Sequence, residues 1–362
     1  MRVREWLRLL ARGGPGFVQI ALTNACNARC RFCNFSRLAP KDWIMADPAR
    51  LRRGLGIMAA EGVRYCVFTG GEPLLYPHLA EILGEAQGVG LQSLLCTNGR
   101  LLNRPKIDML QRAGVSHLII SIDAATAEEH EGHRGFPGLC RELQELLPYI
   151  KDSGITPVAS VTISRLFADF QAMGDFLAYL GFNLATFSYP LTELHSTYLS
   201  YADHETVTFT AGEMSAIFRS LRRWKGRAPI TVLNPRLGLR ELERQLAGRR
   251  VRFPCLAGYK FFYIDWLLKV YRCHYLPQVL GALEDFAAIP PLRDDCHVCL
   301  IDCYRDASVQ QFLAVSLAEA WSELCLGKVG PALGRLLRPG TFLSLGAILE
   351  TRHWINRHGR CN

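Results

Sequence analysis

Short β-branched and aromatic runs alternate with longer helical patterns from residue 17 to about residue 225, and this rhythm limits the fold more than any other feature. It reads as repeated βα units. Strands are expected at 17–22, 65–69, 91–96, 117–122, 157–163 and 184–189, with helices between them at 48–61, 78–86, 141–152 and 167–180. Right-handed crossovers then give an α/β fold with a parallel sheet, open or curved into part of a barrel. In such sheets functional groups collect at the C-terminal ends of the strands. Four motifs fall there: Cys26, Cys30 and Cys33 after strand one, Gly70-Gly71-Glu72 after strand two, Thr97-Asn98-Gly99 after strand three, and Ser121-Ile122-Asp123 at the end of strand four.

The 13 cysteines sort into three sets. Cys26, Cys30 and Cys33 form one group, and Cys255, Cys273, Cys296, Cys299 and Cys303 form a looser second. Cys66, Cys96, Cys140, Cys325 and Cys361 stand alone and read as small buried hydrophobes or surface thiols. The N-terminus lacks the apolar core and cleavage site of a signal peptide, so a reducing cytoplasm is expected, where grouped cysteines point to metal rather than disulfides. No uninterrupted run of about 18 apolar residues is present to form a spanning helix.

Three thiolates at Cys-x3-Cys-x2-Cys spacing leave one corner of an iron–sulfur cube open, whereas a structural zinc site would be closed by a fourth ligand. The loop Cys26-Asn-Ala-Arg-Cys30-Arg-Phe-Cys33 resembles the cluster loop of radical S-adenosylmethionine (SAM) enzymes. The resemblance extends through Thr69-Gly70-Gly71-Glu72-Pro73-Leu74, Thr97-Asn98-Gly99 and Ser121-Ile122-Asp123, and covers about residues 15–225. It implies a partial (β/α)6 TIM-like barrel, with Cys26, Cys30 and Cys33 holding three irons of a [4Fe–4S] cluster and SAM chelating the fourth. Phe32 belongs to the same loop pattern, Gly70, Gly71 and Glu72 match the SAM contact, and Thr97, Asn98, Ser121 and Asp123 stand where relatives hold the SAM carboxylate and ribose. The implied chemistry is reductive cleavage of SAM to a 5′-deoxyadenosyl radical that abstracts a substrate hydrogen, with an external flavodoxin- or ferredoxin-type electron donor.

Taken alone, Cys296-His-Val-Cys299 with Cys255, Cys273 and Cys303 suits a zinc ribbon as well as a cluster. In this company it resembles the SPASM or twitch domain that carries an auxiliary [4Fe–4S] cluster, and five cysteines fit the one-cluster twitch form. The preferred ligands are Cys255, Cys273, Cys296 and Cys299, with Cys303 exchanging in or lying close by, and His274 and His297 flank them. The glycine usual before the second cysteine is replaced by Leu267-Leu268. Such a fully ligated cluster could relay an electron.

The expected organisation is a barrel core at 1–225, a basic irregular passage leading into a cluster domain at 226–310, and a basic helical extension at 311–362. The segment 189–204 holds Glu193 and His195, the candidate catalytic groups, in a polar-aromatic mixture suited to a hydroxylated small molecule. Only 25 residues precede Cys26, too few for a leader-binding domain, so a small metabolite is expected ahead of a peptide or a lipid. The net charge of +9 comes without a nucleic-acid-binding motif, and no nucleic-acid partner is expected. From Lys328 onward six Lys/Arg face one acid, which reads as a helix across the barrel or as a peripheral contact with an anionic membrane.

Overall fold

The computed structural model describes residues 12–167, 169–190, 196–199 and 205–350. Six parallel strands appear where the alternation places them: β1 (Gly16–Ala21), β2 (Val63–Thr69), β3 (Gln92–Thr97), β4 (Val115–Ser121), β5 (Thr156–Thr162) and β6 (Leu184–Ser188). They lie side by side in chain order, in registers such as Ile20 beside Phe68 and Leu95 beside Leu118. Helices α1 (Pro48–Ala60), α2 (Leu79–Gly88), α3 (Arg104–Arg112), α4 (Ala127–Arg134), α5 (Leu139–Asp152), α6 (Phe170–Leu180) and α7 (Ala211–Trp224) follow the successive strands. Leu51, Leu55 and Met58 of α1 and Leu143, Leu147 and Ile150 of α5 are wholly buried in the core. This is the curved parallel sheet of a partial TIM barrel.

Local chemistry sets the helix ends. Asp47, Asn103 and Thr126 accept hydrogen bonds from the backbone amides of Arg50, Lys106 and Glu129, and Thr210 with Glu213 forms a capping box on α7. Helices α3 and α4 carry weak sequence signals because α3 buries only Ile107 and Leu110, and α4 buries polar groups instead of apolar ones.

The passage at 226–250 is more ordered than its composition suggests. A seventh strand, β7 (Thr231–Val232), pairs with β6, and α8 (Arg236–Leu246) buries Leu239 and Leu242 while its arginines stay outside. Two leucines three apart suffice for a helix once α7 supplies a surface to pack on. Beyond it, β8 (Phe261–Ile264) pairs parallel with β1, and β9 (Lys269–Tyr271) and β10 (Val279–Ala282) follow antiparallel. The result is one ten-stranded sheet ordered β10-β9-β8-β1 and onward to β7, so the second cysteine region extends the sheet that carries the first. At the β8–β9 turn, Leu268 takes the left-handed conformation at φ 60°, where glycine would be the easy choice. The Asp265 carboxylate accepts the amides of Leu267 and Lys269, and the Leu268 side chain is buried, which offsets the strain. Helices α9 (Asp302–Cys325), α10 (Val329–Leu336) and α11 (Pro339–Glu350) complete the described chain.

Candidate active site

The cysteine loop leaves β1 and is held by backbone contacts that only glycine allows. Gly71 donates to Thr23 O at 2.9 Å and Glu72 N donates to Ala25 O at 2.7 Å. A Cβ on Gly71 would lie 2.1 Å from Ala25 O, and one on Gly70, at φ 140°, 2.4 Å from Thr23 O. The two glycines therefore let the loop after β2 press directly against the segment leading into Cys26.

Glu72 acts as a brace between loops. Its wholly buried carboxylate accepts from Leu74 N at 3.0 Å, Thr97 Oγ1 at 2.8 Å and Asn98 N at 2.8 Å. Burial pushes its pKa above the ordinary range, and these donors hold the anion in place. Asn98 then reaches back, donating from Nδ2 to Asn27 Oδ1 at 2.8 Å inside the cysteine loop. Ser121 Oγ donates to Thr97 O at 3.4 Å. Gly70, Gly71, Glu72, Thr97, Asn98 and Ser121 thus line one continuous rim around the cysteines. Both oxygens of Glu72 are engaged by protein donors, so the acid shapes this rim.

Asp123 is wholly buried and pairs with Arg134 at 2.7 Å. Arg134, His130 and His133 come from α4, a short helix that buries its basic side, and sequence reasoning missed all three. The available signal was their i, i+3, i+4 spacing, one face of a helix that Thr126 caps. His130 Nδ1 accepts from Asp123 N at 3.1 Å, and burial beside Arg134 lowers its pKa to about 3, so the ring is neutral. Phe32 packs against His133 in a tilted ring pair with centroids 4.6 Å apart, and Arg29 N donates to Arg134 O. Together these contacts fix the far side of the cysteine loop.

Burial pushes the Cys26 thiol up to about 12 and raises Cys30 and Cys33 as well, while Arg134 favours the thiolates of Cys26 and Cys30. Such thiols ionise when metal replaces their protons. The donor set fits an iron–sulfur cluster: three soft sulfurs, a buried guanidinium beside them, and a glycine cradle alongside. Cys30, Asp123 and His133 bring one ligand atom each within 4.8 Å of one another, but among the described residues no three cysteine sulfurs do so.

The second group converges beside Phe17 of β1. Cys255, Cys273 and Cys299 are buried in one cluster, with Cys296 and Cys303 packed against it. Cys255 N donates to Cys296 O at 2.7 Å. Two buried arginines adjoin the sulfurs: Arg272 beside Cys296 and Cys255, and Arg305 beside Cys255 and Cys299. Arg272 is paired with Asp294, but no carboxylate pairs with Arg305 among the described residues, and its Nε has no hydrogen-bond partner. A buried cation without a counter-anion fits a site that becomes anionic when loaded. Neither arginine was singled out from the sequence. His274 is buried, stacked on Tyr198 at 3.7 Å, and burial lowers its pKa to about 3, whereas His297 is exposed.

Residues 196–199 bridge the two groups. Leu199 O accepts from Asn34 N at 2.8 Å, Thr197 donates to Asp265, and Tyr198 lies between Phe35 of the first loop and His274 of the second. Glu193 and His195 lie outside the described residues. Of the lone cysteines, Cys66 and Cys140 are buried, Cys96 is partly so, Cys325 is exposed, and Cys361 is outside the described residues. No helix among the described residues is long and apolar enough to cross a membrane.

Residues 20–169, from β1 to the N-cap of α6, match the model of the radical SAM superfamily. This stretch of the chain is a radical SAM domain. The chain's relatives include an AdoMet-dependent heme synthase of Methanosarcina barkeri, 25% identical over 75% of this chain and 80% of that protein. A PqqA peptide cyclase of Gluconobacter oxydans is 31% identical over 40% of each chain. Among solved structures, anSMEcpe with bound AdoMet superposes with TM-score 0.56 at 15% identity, covering 94% of this chain and 98% of that one. Streptococcus suis SuiB bound to S-adenosylmethionine gives TM-score 0.55 at 14% identity, covering 72% of this chain and 60% of SuiB. These superpositions agree with the barrel and with the C-terminal extension of its sheet. This radical SAM enzyme uses a [4Fe–4S] cluster and SAM as its cofactors.

Proposed function

We propose that the chain is a two-cluster radical SAM enzyme that oxidises a side chain of a peptide substrate. A bound [4Fe–4S] cluster and SAM supply one-electron cleavage of SAM and hydrogen abstraction. Cys26, Cys30 and Cys33 hold that cluster, and the Gly70–Glu72, Thr97–Asn98 and Ser121 rim seats SAM. Asp123 keeps Arg134 and His130 in place behind the loop. Cys255, Cys273, Cys296 and Cys299, with Cys303 adjoining, hold the auxiliary cluster within residues 226–310, and Arg305 balances its charge.

The observation that carries this reading is the convergence of two cysteine groups on one sheet, joined by Tyr198 between Phe35 and His274. Sulfur spacing supports iron–sulfur over zinc at the second group. Zn–S bonds of about 2.3 Å put tetrahedral sulfurs about 3.8 Å apart, and among the described residues no three cysteine sulfurs come within 4.8 Å of one another. For the substrate, the PqqA peptide cyclase among the relatives is weighed above the hydroxylated small molecule expected from 189–204. A tetrapyrrole is the second reading, favoured by the heme synthase match over 80% of that protein.

Anaerobic reconstitution should yield about eight irons per chain and release 5′-deoxyadenosine with dithionite and SAM. Deuterium transfer into 5′-deoxyadenosine from a labelled peptide pool supports the peptide reading. Transfer only from a labelled porphyrin precursor replaces it with the second. Cys273→Ala should preserve hydrogen abstraction but stop turnover. About four irons with one bound zinc would remove the auxiliary cluster.

A further inference from the structure

The C-terminal helices are packed in reverse of the usual pattern for a helix in water. Helix α11 buries Gly340, Thr341, Ser344 and Ala347 and exposes Phe342, Leu345 and Leu349, at 67%, 48% and 55%. Its small residues seat directly on α9: Thr341 Oγ1 donates to Ser316 Oγ at 3.1 Å, and Ser344 Oγ donates to Val309 O at 2.6 Å. A Cβ on Gly340 would lie 2.9 Å from the Phe312 ring, so the backbones approach closely there. Helix α10 buries only Ala332, while Val329, Leu333 and, just past its end, Leu337 are exposed. The second half of α9 continues the pattern with Leu317, Trp321 and Leu324 outward, spaced i, i+4, i+7 on one face.

Small residues inside, hydroxyls bonded across helices and large apolar groups outside are what helix packing looks like when the medium is hydrocarbon. Isolated exposed leucines are ordinary, but outward apolar stripes on three successive helices are not. None of these helices is long and apolar enough to span a bilayer, which leaves shallow insertion.

Charge next to this surface has a definite sign. A cleft of about 760 Å³ runs between the end of α8 and the start of α11, lined by Arg244, Arg249, Arg250, Arg252 and Arg338, with Asp295 as its acid. Arg244 and Arg252 are drawn to Glu241, but no carboxylate pairs with Arg249 or Arg250 among the described residues. Pro339 and Gly340 form one wall of this cleft, and Phe342 follows them onto the apolar surface. Beyond Glu350 the sequence adds Trp354, Arg352, Arg357 and Arg360 with no acid.

We propose that α9–α11 dock this protein on an anionic phospholipid bilayer, with the apolar stripes in the acyl boundary and Arg249 and Arg250 on lipid phosphates. The test uses the full chain with vesicles of phosphatidylcholine containing about one third phosphatidylglycerol, and with pure phosphatidylcholine. Flotation should recover the protein with the anionic vesicles, with recovery falling at high salt. Phe342→Ser combined with Leu345→Ser, and separately Arg249→Glu combined with Arg250→Glu, should each weaken partitioning roughly tenfold or more. Iron content and uncoupled SAM cleavage should remain unchanged in both, which keeps folding and docking distinguishable. Absent flotation, or flotation that neither pair of substitutions alters, overturns the proposal. So does an oligomer that the apolar substitutions split into monomers without any vesicle binding, since the surface then belongs to a second copy of the chain.

Discussion

Gly71→Ala tests whether the loop after β2 braces the cysteine loop by direct backbone contact. The added methyl would meet Ala25 O at 2.1 Å, Ala25 C at 2.5 Å and Asn24 O at 2.9 Å, all backbone. Ordinary carbon contacts lie near 3.5 Å, so the loops must part by about 1 Å or more. That opening strains or breaks Gly71 N to Thr23 O and Glu72 N to Ala25 O. Each such bond contributes about 1 kcal/mol net, and more when its donor is left buried and unpaired, so the cost should be about 3 kcal/mol. Gly84→Ala is the matched control, because Gly84 sits in α2 with nothing within 4 Å of its added Cβ. It should stabilise the chain by about 1 kcal/mol. Urea midpoints should therefore move in opposite directions. Reconstituted Gly71→Ala should also lose the SAM-dependent change in its electron paramagnetic resonance spectrum while retaining about four irons in the second cluster. An unchanged SAM response, or a midpoint no lower than that of Gly84→Ala, would refute the bracing argument.

Two further outcomes follow from buried charges. Arg134→Met leaves Asp123 buried without its cation, which should cost about 3–5 kcal/mol in urea denaturation and lower iron uptake at the first loop; equal stability would show that the pair carries little. Burial, with Asp302 nearby, raises the Asp306 pKa to about 7, even though Tyr189 and Asn234 donate to it. A raised acid contributes stability that is complete below its unfolded value and is lost as pH rises through the folded one. Stability should therefore fall by on the order of a few kcal/mol between about pH 4 and 7, and Asp306→Asn should flatten that decline. Denaturation midpoints at several pH values check it, and parallel curves for the two proteins would contradict it.

The βα rhythm, both cysteine groups and the rim motifs at the strand ends were legible in the sequence because each depends on local periodicity or short spacing. Residues 17–22 and 184–189 read as strands from their apolar runs alone, and β1 and β6 lie there. What tertiary structure decided was how distant segments meet. Helix α4 has no apolar stripe to announce it, yet it buries His130, His133 and Arg134 because Asp123 and the cysteine loop supply their partners. Glu72 read as a group facing SAM, and only the fold shows its oxygens occupied by Leu74, Thr97 and Asn98. The arginines beside the second cysteines, the pairing of β8 with β1 and the reversed packing of α11 likewise depend on neighbours far along the chain. Periodicity tells a residue which face of its own element it occupies. What waits at that face, whether water, core, counter-charge or lipid, is set by the elements packed around it.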